Sequence, residues 1–201
     1  LVEMIERHRP TFAGAVPTIW NGVLHYGEGR DIDLSSFRLV ICGGSAVPKS
    51  LMHAFEERYG VTILQLWGMT ETSPLGAIAS VPRGVEGEEA WTYRVRTGRP
   101  VAGVELRIVD DEGNVLPWDG ESVGEIQARG PWVTGSYYGV DASEKFQDGW
   151  LCTGDVGFIV ERGYVQITDR SKDVIKSGGE WISSVELENE IIAHPGVAEA
   201  A

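Results

Sequence analysis

The chain has 201 residues, 42% of them hydrophobic, enough for one large or two small domains with a real core. Its formal charge is −13, from 30 acidic against 17 basic residues. That balance excludes a dedicated nucleic-acid binder, which needs a cationic surface to displace counterions, but not a small anionic ligand, because net charge does not set the field inside one cleft.

In chain order, Leu1, Met4, Ile5 and His8 fall on one helical face, and Pro10 stops that helix. Residues 11–16 predict a short apolar strand and 18–26 a helix. Residues 37–42 read as a second buried strand, broken by Gly43-Gly44. Pro48 suits a first helical turn, where its missing N–H costs nothing. Leu51, Met52, Phe55 and Tyr59 make the apolar stripe of that helix, and Gly60 suits its C-terminal cap. Residues 61–66 predict a third strand. Strands alternating with helices of this length imply parallel βαβ units with right-handed crossovers.

Residues 81–89 are rich in Gly, Pro and Glu and read as a loop. The pattern then turns to β. Val104, Leu106 and Ile108 alternate with Glu105 and Arg107 as a half-buried strand, Asp111 to Asn114 make a turn, and 124–128 form another strand. Residues 158–160 and 164–167 flank a hairpin turn at 161–163. Near Asp169 a third pattern begins, with a short strand at 173–176. Ser183 and Glu186 then form a capping box for a helix reaching Ala193, which His194-Pro195-Gly196 ends. The expected architecture is therefore α/β. A partial parallel αβ sheet layer (1–96) is followed by a β-rich, distorted-barrel subdomain (97–168) and the start of a small α+β domain (169–201).

Cys42 and Cys152 sit in apolar runs and read as buried free thiols. No apolar stretch approaches the roughly 20 residues that span a bilayer, and neither a signal peptide nor a lipidation motif is visible. A cytoplasmic setting is the expectation. The first residue is Leu1 and the last, Ala201, lies in an apolar run, so both ends read as cut. Strands taken out of a larger sheet leave unpaired edges, which predicts self-association.

Open α/β sheets bind ligands beyond the carboxyl ends of their strands. One predicted strand ends at Cys42 and leads into Gly43-Gly44-Ser45-Ala46. Another ends at Leu66 and leads into Trp67-Gly68-Met69-Thr70-Glu71-Thr72. Glycines let a flat ligand approach the backbone closely, though Gly-Gly after a strand is also an ordinary tight turn. Thr70 offers a hydroxyl to a phosphate and Glu71 a hard oxygen to Mg2+, though Thr-Glu is also a common helix start. In Gly149-Trp150-Leu151-Cys152-Thr153-Gly154-Asp155 an acid is bracketed by glycines. It could accept ribose hydroxyls or serve as an Asx-type turn residue. Asp169-Arg170-Ser171-Lys172-Asp173 packs four charges into five residues, the usual composition of a solvated turn.

The order and spacing of these four elements, ending in Ser177-Gly178-Gly179-Glu180, resemble the adenylate-forming, or acyl-activating, enzyme superfamily. Within it, Met69, Lys172 and the Ser177-Gly178-Gly179 loop look most like the fatty acyl-CoA synthetase branch. The resemblance implies a two-step ligase. A carboxylate attacks the α-phosphate of ATP to give acyl-adenylate and pyrophosphate, and CoA then takes the acyl group and releases AMP. By position, Gly43, Gly44, Ser45 and Ala46 would border the adenine. Trp67, Gly68 and Met69 would pass along the nucleotide, and Thr70 would hold the α-phosphate. Glu71 would hold Mg2+, and Asp155 would bind the ribose with Arg170 assisting. Lys172 would be the hinge, and Ser177, Gly178, Gly179 and Glu180 would serve CoA in the second half-reaction. The acyl chain would run along 17–20, although Trp20 there reads first as core.

The family's upstream Gly/Ser/Thr-rich phosphate loop and its late lysine are not among these 201 residues. The chain by itself is therefore expected not to form acyl-adenylate. Two other readings stand beside the synthetase: an adenylation domain loading a carrier protein, and a non-catalytic nucleotide-binding module.

Overall fold

The computed structural model describes residues 1–177, 180–182, 184, 187 and 191. They fall into two compact units, the first ending at Val101 and the second beginning at Ala102.

The first unit runs α1 (Val2–His8), β1 (Phe12–Ala15), α2 (Pro17–Tyr26), β2 (Leu39–Cys42), α3 (Lys49–Tyr59), β3 (Ile63–Gly68), β4 (Leu75–Ile78), α4 (Gly87–Arg94) and β5 (Arg99–Pro100). Its sheet has the order β1-β2-β3-β4-β5. The first three strands are parallel, as the alternation of elements predicts. The chain then doubles back, and β4 and β5 add antiparallel. Pro17 opens α2 in its first turn, where the absent N–H is no loss. Pro48 is the extended cap residue just before α3, one place earlier than a first-turn proline. Gly60 ends α3 at φ 64, and its N–H donates to Glu56 O at 3.0 Å. The core lies between the helices and the sheet. Trp20 packs edge-on against Phe37 and Phe55, whose centroids are 6.1 and 5.8 Å away, with Val40, Leu51 and Met52 buried around them. Each such aliphatic or aromatic side chain contributes roughly 1.5–3 kcal/mol on full burial.

Two elements escape the sequence reading. α4 starts inside the stretch read as a loop. Its Gly- and Glu-rich sequence has little helical pattern of its own, although Glu88 and Glu89 in the first turn suit the helix dipole. Side-chain contacts with α3 hold it. Trp91 stacks on His53 with centroids 5.4 Å apart, and the buried Arg94 reaches Glu56 at 2.7 Å. β4 was missed because it is four residues long and follows a turn.

The second unit contains β6 (Glu105–Val109), β7 (Gly124–Arg129), β8 (Phe146–Gln147), β9 (Trp150–Ile159) and β10 (Val165–Arg170). They form an antiparallel half-barrel sheet of order β10-β9-β7-β6, with β8 on β9. Leu106, Ile108, Ile126, Leu151, Val156 and Val165 are buried in it. β9 is the main difference from expectation. It begins at Trp150, so the stretch from Trp150 to Asp155 is strand rather than turn. A further antiparallel pair, β11 (Ile175–Ser177) and β12 (Glu180–Ile182), follows. The expected helix from Ser183 and Glu186 to Ala193 lies outside the described residues, apart from single positions along it.

Candidate functional site

In the first unit, β2 and β3 are parallel neighbours with Cys42 opposite Gln65, so both leave the same edge of the sheet. The Gly43–Ala46 loop and the segment after Gly68 therefore both lie beyond the carboxyl ends of these strands. Gly44, Ser45 and Ala46 are exposed there, as is Thr70, while Met69 and Glu71 are half-buried. Gly43 serves packing rather than openness. A Cβ at this position would stand 2.7 Å from the backbone oxygen of Leu66, so only glycine lets β2 pass this close to β3. Trp67 is also turned inward. It is buried, and its ring covers Gly76, where a Cβ would fall 2.4 Å from Cζ3.

Two side chains that hold this edge were not singled out in the sequence. Gln65, buried in an otherwise apolar strand, accepts a hydrogen bond from Val47 N–H at 3.2 Å. It thereby pins the far end of the Gly43–Ala46 loop to β3. Its signal was one polar residue within an apolar run. Thr72 is fully buried in the 3-10 turn Thr70–Thr72. Its hydroxyl accepts the Met69 N–H at 2.9 Å and lies 3.0 and 2.7 Å from the carbonyl oxygens of Met69 and Pro74. Thr72 closes the turn that carries the exposed Thr70 and the half-buried Glu71.

Glu71 is the carboxylate on this turn. Among the described residues no group of three or more His, Cys, Asp or Glu could cage a metal ion. One carboxylate next to a hydroxyl residue in sequence suits Mg2+, which keeps its waters and takes one or two carboxylates together with substrate phosphates.

In the second unit, Asp155 is buried and its carboxylate meets Arg170 Nε at 2.9 Å, where the two residues pair across β9 and β10. The charge cluster at 169–173 is thus divided by the fold. Asp169 is buried and accepts the N–H groups of Arg170 (2.7 Å) and Ser184 (2.6 Å). Arg170 points to Asp155. Lys172 and Asp173 are both exposed, 3.9 Å apart, at the end of the cluster. Two of its members are therefore structural, against the reading of a wholly solvated turn. Ser177 and Glu180 lie opposite each other in the β11–β12 register, and Gly178 and Gly179 are outside the described residues. Trp20 is core, 2% exposed. Cys42 and Cys152 are buried and unbridged, as read from the sequence.

Comparison with known proteins gives one family and consistent relatives. Residues 1–138 match the AMP-binding enzyme family. The chain is 49% identical to a 3-methylmercaptopropionyl-CoA ligase of Ruegeria lacuscaerulensis, over its whole length and 38% of that protein. It is 45% identical to a long-chain-fatty-acid–CoA ligase of Thermus thermophilus, with the same coverage of each. Among solved structures, the O-succinylbenzoate coenzyme A synthetase of Bacillus subtilis in complex with ATP and magnesium superposes with a TM-score of 0.81 at 33% identity, covering 98% of this chain and 39% of that one. The chain thus spans about two fifths of the length of the relatives it matches.

Proposed function

This chain belongs to the AMP-binding enzyme family, and on that premise we propose that it is the nucleotide-cradling part of a longer ATP-dependent acyl-CoA ligase. The observation that carries the proposal is the shared sheet edge. The exposed Gly44-Ser45-Ala46 loop and the Thr70-Glu71 turn leave the carboxyl ends of two adjacent parallel strands, where open α/β sheets bind ligands.

A carboxylate is a poor acyl electrophile, and adenylation gives it a good leaving group. The first step brings two anions together and therefore needs positive charge at the transition state. Mg2+ bound with the phosphates supplies part of that charge. The chain's own residues bind and orient. The Gly43–Ala46 loop borders the adenine, with Trp67, Gly68 and Met69 alongside the nucleotide. Thr70 donates to the α-phosphate, Glu71 is the metal's carboxylate, and Asp155 with Arg170 takes the ribose. Lys172 is the hinge, and the segment from Ser177 to Glu180 serves CoA. The acid is a fatty or fatty-like carboxylate, a reading supported by the likeness to the long-chain-fatty-acid–CoA ligase of Thermus thermophilus. The same proposal extends to association. β1 is an edge strand of its sheet, with Phe12, Val16, Ile19 and Leu39 exposed on or beside it, a surface suited to a second copy.

Acid-dependent ATP–pyrophosphate exchange tests the activity, with a panel from acetate to palmitate and aryl acids and with CoA as the final acceptor. The longer ligase is expected to turn over with aliphatic acids, and Glu71→Gln to lower its rate by 10²-fold or more, as loss of one preorganised charge contact does. The 201-residue chain alone is expected to show none. Unchanged kcat in Glu71→Gln at saturating Mg2+, or transfer only to a carrier protein, would refute the assignment.

A further inference from the structure

We infer that Thr153 is a positioning residue for Asp155, setting the ribose selectivity of the nucleotide site through its hydroxyl. The inference rests on the ribose reading of Asp155. Opposite Ile126, β9 carries an enlarged bulge. Cys152 pairs with Gln127 and Val156 with Glu125, so Thr153, Gly154 and Asp155 together face one residue of β7. The bulge breaks the β7–β9 ladder at the Ile126 carbonyl and the Asp155 N–H. The buried Thr153 side chain serves both. Its hydroxyl donates to Ile126 O at 2.6 Å and accepts the Asp155 N–H at 3.1 Å.

The neighbouring backbone groups are held as well. Gly154, at φ 72, donates its N–H to Glu125 Oε1 at 3.2 Å, and its carbonyl accepts Ser171 N–H at 2.9 Å. The bulge thus has its buried polar groups satisfied, which makes it a rigid mount. The Thr153 hydroxyl is the part of that mount bonded directly to the Asp155 backbone. It fixes where Asp155 stands relative to Arg170 Nε. A valine would fill the same space without bridging.

The test is calorimetric titration of the full chain with AMP and with 2′-deoxyadenosine monophosphate. The unsubstituted chain is expected to prefer AMP by about tenfold, the range of one hydrogen bond to a charged group. Asp155→Asn and Thr153→Val should each bring the ratio to within about twofold, and Thr153→Ser should restore it. If the unsubstituted chain shows no preference, or Asp155→Asn keeps it, the ribose reading fails and the inference with it. If Asp155→Asn loses the preference while Thr153→Val keeps it, only the positioning role fails. Equal weakening of both nucleotides in Thr153→Val, with a lower Tm, would reduce Thr153 to a structural residue. Amide hydrogen exchange of the unsubstituted chain needs no variant to fold. The Asp155 amide should be as protected as its strand neighbours, and rapid exchange would overturn the bridge.

Discussion

At Cys42 the last residue of β2 is sealed from solvent just before the exposed Gly44–Ala46 stretch, and burial pushes its thiol up to about 11. An unfolded thiol titrates near 8.5. The folded state therefore holds its proton where the unfolded state does not. The associated stability is complete below about pH 8.5 and is lost as pH rises toward 11. Cys152 is shifted in the same direction, again by burial first, with the nearby Glu125 charge adding to it. Because the thiolate is the nucleophile, neither cysteine should be alkylated by iodoacetamide at pH 8 during the time that labels the urea-unfolded chain fully. Prompt labelling of native Cys42 would show that the end of β2 is open. Gln65 and Thr72 belong to this scale too. Each holds a backbone segment next to residues assigned to the nucleotide.

Among the elements, α3 is the most completely specified by its own sequence. Leu51, Met52 and Phe55 are its buried stripe, and Gly60 ends it in the left-handed region with open space around its α-carbon. A methyl group at Gly60 would meet nothing, so Gly60→Ala isolates the backbone cost of φ 64. It should lower stability in urea unfolding by about 1 kcal/mol, with Gly60→Asn losing less. A loss well above about 2 kcal/mol would mean that the side chain clashes after all. α4 is the opposite case. Trp91 and Arg94 form it by docking on His53 and Glu56, contacts 38 residues apart in sequence for the ion pair. β9 likewise looks like a turn in sequence because of Gly149 and Gly154, and it becomes a strand because β7, β8 and β10 all pair with it.

For the molecule as a whole, the two compact units bury their cores separately, and the first leaves β1 as the edge of its sheet. Phe12 is 56% exposed on that strand, and Met4 and Ile19 are exposed nearby. A flat apolar edge invites pairing with another chain, and a charge placed on it prevents this. Sedimentation velocity should find the chain associated at micromolar concentration and shifted toward monomer by Phe12→Lys. A concentration-independent monomer would remove the proposed association. No helix among the described residues is long and apolar enough to cross a membrane.

Residue pattern is enough for the family, through four motifs in fixed order, and for the elements whose pattern is local: the parallel βαβ start, α3 with its glycine cap, and the β6 and β7 strands. Folding settles the rest. It split the 169–173 charge cluster into a buried Asp169, an Arg170 turned to Asp155 and a solvated Lys172. It also turned Trp67 onto Gly76 and gave Thr153 its two partners. Period and capping are read from residues a few places apart. Burial and hydrogen-bond partnership depend on strands that meet only after the chain has folded.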